Sequence, residues 1–212
     1  MEFDFARMAP RDAYRLMTNV VCPRPIALVT TLSRDGRVNA APFAFFNAIS
    51  YDPCMVVLGI EPDADGGHKD TGQNIRDTNE FVVHIVDEPL AARMNICAVD
   101  FPPDVDELAE AGLTTAPSVQ VAPPRIAEAP VALECRRHVT LELGRLRQIV
   151  VGEVVHVAVR DGIVDPETLL ADPSTLNAVG RAGGAWYVRL HDRFEMPRLT
   201  LEGYRAGRTR AG

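Results

Sequence analysis

Residues 26–46 read IALVTTL-SRDGR-VNAAPFAFF, two apolar runs separated by a short polar segment. The first run, residues 26–32, is rich in the β-branched and apolar residues that favour strands. Asp35-Gly36 between two apolar runs is a strong signal for a tight turn. The pattern therefore predicts an antiparallel hairpin whose second strand covers residues 38–46.

The sequence around this hairpin contains more strand-like runs than helical ones. Residues 47–53 are predicted to be a polar connection, and the apolar continuity of residues 54–60 indicates a strand with both faces covered. Further strands are predicted at 81–86, 131–143, 148–160 and 185–190. Most strands are joined by hairpins, and no G-x-G-x-x-G motif opens a helix after a strand. We therefore expect a mainly β fold with peripheral helices, an antiparallel β-barrel rather than a doubly wound sheet.

Helical signals are short and lie between the strands. Helices are predicted at 12–19, 90–99 and 105–111, with a capped helix start at Asp70-Thr71 and a helical turn at 166–170. Residues 114–130 carry four prolines and are expected to form an ordered excursion against the core. Residues 1–197 are predicted to be one domain, and residues 198–212 an Arg- and Gly-rich tail that frays.

Composition excludes several functional classes. The 212 residues carry a formal net charge of −7, with 47% hydrophobic and 24% charged residues, an ordinary globular mixture. This charge argues against non-specific nucleic-acid binding. No apolar run is long enough for a transmembrane helix, and the acidic start at residues 1–4 does not resemble a signal peptide. We expect a cytoplasmic protein that binds neither nucleic acid nor membrane.

The cysteines and histidines predict no metal site. Four cysteines lack a C-x-x-C spacing, so we expect buried or inert thiols, and no histidines pair at helical spacing. His84 and His138 are expected to be satisfied strand residues. His68, beside Lys69, has a better chance of lying near a phosphate.

One motif is marked by the only lysine among 22 basic residues. Lys69 precedes Asp70 and Thr71 at a predicted helix start. The first turn of a helix has free N–H groups and a positive dipole end, and an added ammonium and hydroxyl make a phosphate cradle. The alternative is an ordinary cap with a solvated lysine.

A second motif follows the hairpin. Phe43, Phe45 and Phe46 alternate with small residues that would let a flat ring approach the backbone, and Asn47 and Ser50 come next. An asparagine can both donate and accept hydrogen bonds, and a serine hydroxyl can reach a ribityl chain or a phosphate. The alternative is a core strand with aromatic residues.

Taken together, these stretches resemble the flavin reductase-like family, which binds FMN on a split β-barrel. The matching segments are RPIALVTT (24–31), NAAPFxFFNAISxxP (39–53) and KDTxxNIR (69–76). Residues 100–103, 130–135 and 180–187 are similar to the flavoredoxin-like branch. The resemblance covers residues 14–197, nearly the whole chain.

The resemblance implies a position for the flavin ring. Residues 44–47 would line the isoalloxazine, and Arg24, Arg181 and Tyr187 would approach the same site. Relatives often have serine at the position of Ala44. A side-chain hydroxyl near the flavin edge is therefore missing in this chain, and only the backbone of Ala44 can contact the flavin there.

The resemblance also implies a phosphate site. Ser50, Lys69 and Thr71 would hold the 5′-phosphate of FMN, and Asp70 and Asn74 would support that loop. No protein residue is assigned a catalytic role, because the flavin itself accepts the hydride.

The function implied by the resemblance is an FMN-binding flavin reductase that takes a hydride from NAD(P)H. FMN would be a tightly bound or exchangeable cofactor, NAD(P)H the co-substrate, and the protein a homodimer. A separate monooxygenase or redox protein is the candidate partner. Two alternatives stay open: a flavoredoxin-like electron carrier reduced by a protein partner, and a ligand-binding barrel without flavin.

Overall fold

The fold is built mainly from strands, and the computed structural model describes residues 1–63, 66–102, 105–144 and 146–209. Within these ranges the strands are β1 (Arg24–Pro25), β2 (Ala27–Leu32), β3 (Val38–Phe43), β4 (Phe46–Tyr51), β5 (Cys54–Ile60), β6 (Glu80–Ile85), β7 (Thr115–Ala116), β8 (Arg125–Ile126), β9 (Val131–Leu143), β10 (Arg147–Val159), β11 (Val179–Arg181) and β12 (Tyr187–Arg189). The helices are α1 (Pro10–Val20), α2 (Asp70–Thr78), α3 (Glu88–Ile96), α4 (Glu107–Glu110), α5 (Pro173–Leu176) and α6 (Leu201–Thr209), and Phe5–Arg7 forms a 3₁₀ turn.

Seven strands form one antiparallel sheet in the order β3-β2-β6-β9-β10-β5-β4. The predicted hairpin is its β2–β3 pair, in which Thr30 lies opposite Ala40. The turn between them places Gly36 at φ 84°, a conformation that glycine adopts without strain. The prediction of a mainly β fold with peripheral helices and antiparallel strands is confirmed.

The hydrophobic core lies on both sides of β2. Leu28 packs in a cluster with Leu90 and Met94 of α3, whereas Val29 packs in a second cluster with Leu58 and Phe81. Two covered faces were predicted for residues 54–60, but burial there alternates along β5. The prediction is wrong for one face of β5, whose residues are half-buried or exposed, whereas β2 and β6 are buried on both sides.

Residues 47–53 differ from the prediction of a polar connection. They mostly belong to β4, which pairs with β5 through Asn47 opposite Val57 and Ser50 opposite Met55. Only Phe46 of this strand is buried, and its other residues are exposed. Backbone pairing at the sheet edge decides the structure here, and the polar side chains gave no strand signal.

Late parts of the chain also depart from the sequence predictions. The short strand β11 was missed, and so was α5, which begins after the Asp172 cap. The helical turn predicted at residues 166–170 is present, and in it the Leu169 N–H donates to the Asp165 carbonyl at 2.8 Å. Residues 201–209 form α6 instead of a frayed tail, and residues 210–212 lie outside the described residues. None of the helices in the described ranges is long and apolar enough to cross a membrane.

The excursion of residues 114–130 is ordered, as predicted, and His84 attaches it to the sheet. In the hydrogen-bonding arrangement that satisfies both partners, His84 Nδ1 donates to the Leu28 carbonyl at 2.8 Å. Its Nε2 then accepts from the Ile126 N–H at 2.9 Å. The ring is neutral in this arrangement, and burial lowers the pKa of His84 to about 4. The prediction of a satisfied strand histidine is confirmed for this residue.

Acid is therefore expected to destabilise the fold through His84. The unfolded state takes up a proton at a pKa near 6.5 and the folded state only near pH 4, so stability is lost as the pH falls between these values. We expect a loss of about 2 kcal/mol of unfolding free energy between pH 7 and pH 5. Urea denaturation at both pH values measures it. His84→Gln should remove this contribution, while His138→Gln, at an exposed position of β9, should retain it. Equal pH dependence in all three proteins would contradict the assignment.

Candidate functional site

A cavity of about 730 Å³ opens between α1, the ends of β3 and β5, the start of α2 and residues 97–102. Its volume is within the range typical of small-molecule sites. Polar and charged side chains lie along the α2 side, and aromatic and small residues form the β3 side. Such a cavity suits a ligand that has one flat apolar part and one anionic part.

The polar wall is formed by the first turn of α2. Asp70 and Thr71 were predicted to cap this helix, but the helix begins at Asp70 and its N-cap is Lys69, which makes no side-chain capping bond. Asp70 and Thr71 therefore lie within the first turn, beside backbone N–H groups that have no partner inside the helix. Lys69 Nζ lies 3.6 Å from Asp100 Oδ1 at the cavity edge.

Buried contacts hold α2 close to the sheet. A Cβ atom on Gly72 would lie 2.9 Å from Gln148 Oε1, so the absence of a side chain permits this approach. Gln148 Nε2 lies 2.5 Å from Nδ1 of His68, which also lines the cavity. Below the helix, Asn74 donates to Thr31 Oγ1 at 3.0 Å. These contacts set the position of the first turn.

The apolar wall is organised around Phe45. The Gly59 N–H donates to the Phe45 carbonyl at 2.7 Å, and a Cβ on Gly59 would lie only 2.8 Å from Phe45 Cβ. Tyr14 of α1 contacts the Phe45 ring edge-to-face, with centroids 6.2 Å apart. Glycine at position 59 thus allows the aromatic wall to lie directly against β5.

Two arginines line the cavity between α1 and β11. Arg24 is buried, and its Nη1 donates to the carbonyls of Thr18 at 2.5 Å and Val21 at 2.6 Å. Its Nη2 donates to the Ala182 carbonyl at 3.2 Å, while its buried Nε has no hydrogen-bond partner among the described residues. The Arg181 guanidinium stacks on a neighbouring tyrosine ring at 4.5 Å.

The cavity brings together seven of the twelve predicted cofactor-binding residues: Arg24, Ala44, Phe45, Lys69, Asp70, Thr71 and Arg181. The other five lie outside its wall. Phe46 is in the core, and Asn47 and Ser50 are exposed on β4. Asn74 supports α2 from below, and the Tyr187 ring stacks against the Arg181 guanidinium.

Sequence reasoning assigned no role to several residues of the wall: Tyr14, Thr18, Asn39, Gly59 and Glu107. Asn39 stood inside a matching segment, but nothing distinguished it from a strand residue. Burial raises the pKa of Glu107, and nearby Asp106 and Asp70 raise it further. That Glu107 lines the same cavity as Lys69 could not be inferred from their spacing, because the two residues are 38 positions apart in the sequence.

The thiols only partly match the prediction of buried or inert cysteines. Cys97 and Cys135 are buried, and burial raises the pKa of both, that of Cys97 to about 11. Cys22 and Cys54 are exposed instead, because they lie at strand edges and turns rather than in the core.

Comparison with known proteins identifies the family. A family model described as "Flavin reductase like domain" matches residues 17–180. The chain belongs to the flavin reductase-like family. The resemblance inferred from the sequence segments is thereby confirmed.

Solved structures of similar proteins agree with this membership. The chain is 35% identical to Pseudomonas fluorescens 2-nitrobenzoate 2-nitroreductase, with a TM-score of 0.87 over 95% of this chain and 98% of that one. It is 29% identical to nitrilotriacetate monooxygenase component B from Bacillus cereus, with a TM-score of 0.88 over 92% and 98% of the two chains. A Shewanella frigidimarina protein described as a putative flavin reductase with a split barrel domain is 18% identical, with a TM-score of 0.81 over 94% and 100%. This last likeness shows the fold, and the split-barrel prediction is confirmed.

Proposed function

We propose that this member of the flavin reductase-like family binds FMN in the cavity and transfers a hydride from NAD(P)H to flavin. One observation carries the proposal. The helix start at Lys69 and Thr71 and the aromatic wall at Phe45, which are separate in sequence, line the same cavity. Each of these features alone has an ordinary structural explanation, whereas their meeting in one cavity favours a flavin nucleotide.

The residues present fit a phosphate at the α2 end. Lys69 supplies an ammonium, and the first turn supplies N–H donors and the positive end of the helix dipole. Thr71 also lines this cavity. In the proposed complex these groups hold the phosphate, and Asp70 and Asn74 keep the turn in place.

The opposite side of the cavity fits a flat ring. The small side chain of Ala44 leaves the backbone accessible beside Phe45, so an aromatic ring system can lie against it. Arg24 and Arg181 contribute positive charge to the same cavity, which favours binding of an electron-rich ring. Bound FMN would supply the redox chemistry by accepting a hydride from NAD(P)H. The chain itself binds and orients the reactants.

We also propose that the protein is a homodimer. The edge strand β4 exposes Ile49 and Tyr51, and the C-terminal region exposes Trp186 and Leu201. Edge strands and exposed large apolar side chains are features that association covers. A contact through β4 would bring the exposed Asn47 and Ser50 to the interface. A monooxygenase or another redox protein is the proposed recipient of the electrons.

A visible absorption spectrum tests the proposal. We expect the protein to bind FMN with a 1:1 stoichiometry, and NADH or NADPH to bleach the flavin band under anaerobic conditions. Failure to bind FMN would contradict the cofactor assignment. Bleaching by a reduced ferredoxin-type donor but by neither nicotinamide would instead support the electron-carrier alternative.

A second candidate concerns the electron acceptor. The 35% identity with a 2-nitrobenzoate 2-nitroreductase over nearly the whole of both chains favours a nitroaromatic compound as the electron acceptor. Anaerobic reoxidation of the bleached protein by 2-nitrobenzoate, followed by product analysis, separates this candidate from transfer to free flavin or to a protein.

A further inference from the structure

We propose that Glu107 is a positioning residue for the cofactor phosphate, acting through Asn39 on the direction in which the Thr71 hydroxyl donates. When Glu107 is protonated, the Thr71 hydroxyl is free to donate to the phosphate, and when Glu107 is ionised, that hydroxyl donates to Asn39. This inference rests on the proposed FMN site and adds to it a linkage between phosphate binding and proton uptake.

Three side chains from three different elements form a continuous chain of contacts. Thr71 of α2 is buried in the cavity wall, with its Oγ1 3.0 Å from one amide atom of Asn39 on β3. The other amide atom of Asn39 lies 3.3 Å from Glu107 Oε1 on α4. Glu107 Oε2 lies 3.4 Å from the N–H of Ala40. Asn39 thus lies between the proposed phosphate ligand and a carboxyl group.

An ionised Glu107 imposes one direction on this chain. A carboxylate only accepts hydrogen bonds, so the amide nitrogen of Asn39 must face it. The amide oxygen then accepts from Thr71 Oγ1 at 3.0 Å and from the Ala40 N–H at 3.2 Å. A threonine hydroxyl has a single hydrogen. In this state that hydrogen forms the hydrogen bond to the Asn39 oxygen and is not available to a phosphate.

A protonated Glu107 permits the reverse direction. Its O–H can donate to the Asn39 amide oxygen, and its second oxygen still accepts from the Ala40 N–H at 3.4 Å. The Asn39 nitrogen then donates to Thr71 Oγ1 at 3.0 Å. The Thr71 hydrogen becomes available, and a phosphate oxygen is an acceptor for it.

The surroundings of Glu107 favour the protonated form. Burial is the main cause that raises the pKa of Glu107, and Asp106 at the α4 cap and Asp70 at the start of α2 act in the same direction. The N–H groups of Glu107 itself and of Ala40 oppose this. Cys97, which donates to the Glu107 carbonyl at 3.7 Å, is a neutral thiol. Because binding and protonation favour each other, Glu107 is expected to take up a proton from solvent as FMN binds.

The experiment compares FMN dissociation constants between pH 5 and pH 8 for the parent, Glu107→Gln and Glu110→Gln. A glutamine at position 107 can donate to Asn39 and accept from Ala40 at every pH, so it mimics the protonated acid. We expect FMN binding by the parent to weaken relative to Glu107→Gln by about tenfold over this range. Glu110 is an exposed residue of the same helix, and its variant should follow the parent. The titration of the FMN phosphate is common to all three proteins and cancels in the comparison.

Simple repulsion between Glu107 and the phosphate would also produce a pH effect, and Thr71→Val distinguishes the two explanations. Without the hydroxyl, the difference between glutamate and glutamine at position 107 should disappear if the effect passes through Thr71. If the difference persists in the Thr71→Val background, the proposal is wrong and direct repulsion is the cause.

Calorimetry of the unmodified parent gives a second readout. Titration of FMN in two buffers of different ionisation enthalpy near pH 6.5 should show net proton uptake, and Glu107→Gln should show less uptake than the parent. Equal uptake in both proteins, or identical pH profiles, would overturn the role of Glu107 while leaving the FMN site intact. Absence of FMN binding in every variant would overturn the proposed function and this inference together.

Discussion

Replacement of Lys69 by alanine is expected to weaken FMN binding by about tenfold to a hundredfold, the effect of losing one charge-assisted hydrogen bond. Lys69 is the only ammonium side chain in the protein and lies at the N-cap of α2, at the cavity wall. Its contact with Asp100 at 3.6 Å is largely solvent-exposed, so that pair contributes little to stability. The loss should therefore appear in FMN affinity and leave the free energy of unfolding nearly unchanged.

Two controls make the Lys69 experiment specific. Lys69→Arg keeps the charge but replaces a compact ammonium with a planar guanidinium, so we expect an intermediate affinity. Arg136→Ala removes the same charge from an exposed position beside Glu80, outside the cavity wall, and should bind FMN like the parent. Fluorescence titration with FMN at low and high salt measures all four proteins. Unchanged affinity in Lys69→Ala would show that this lysine is only a solvated cap.

Replacement of Arg24 by methionine is expected to reduce the free energy of unfolding by about 3 kcal/mol. The buried guanidinium donates to two carbonyls at the end of α1 and to one carbonyl after β11. A methionine of similar length would leave these carbonyls without their donor, and buried unpaired polar groups are costly. Because α1 carries Tyr14 and Thr18 of the cavity wall, FMN affinity should fall together with stability.

The matched control for Arg24 lies on the same helix. Arg15 is exposed and pairs only loosely with Asp12 at 3.7 Å, so Arg15→Met should change the unfolding free energy by less than about 0.5 kcal/mol. Urea denaturation of both variants and FMN titration of the folded proteins provide the measurements. If Arg24→Met were as stable as Arg15→Met, the three carbonyl contacts would not be holding α1 in place.

The barrel architecture could be recognised from sequence because its signals are local. The Asp35-Gly36 turn, the β-rich runs beside it and the long strands 131–143 and 148–160 follow from residue preferences within ten or so positions. The segments around Lys69 and Phe45 were likewise recognisable, and they led to the correct family. Strand β4 was not recognised because its side chains are mostly polar and exposed, and the three-residue β11 because its partner β1 is distant in sequence.

The Lys69 and Phe45 parts of the candidate site could each be predicted from the sequence, but their meeting in one cavity could not. Lys69 and Phe45 could be selected as candidates from the sequence, because each belongs to a short motif with a physical meaning of its own. That they line one cavity depends on the β2–β3 pairing, which the Asp35-Gly36 turn predicts, and on the close approach of α2 at Gly72, which leaves no local signal.

The sequence by itself determined that this protein is a mainly β member of a flavin-related family and which short segments carry its chemistry. Only the tertiary structure decided that Arg24 joins α1 to the segment after β11, and that Glu107, Asn39 and Thr71 form one chain of contacts. The physical reason is the range of the interactions. Turn and strand preferences act between neighbouring residues. The hydrogen bonds of the buried Arg24 guanidinium, and those that join Glu107, Asn39 and Thr71, depend instead on groups that folding brings together from distant parts of the chain.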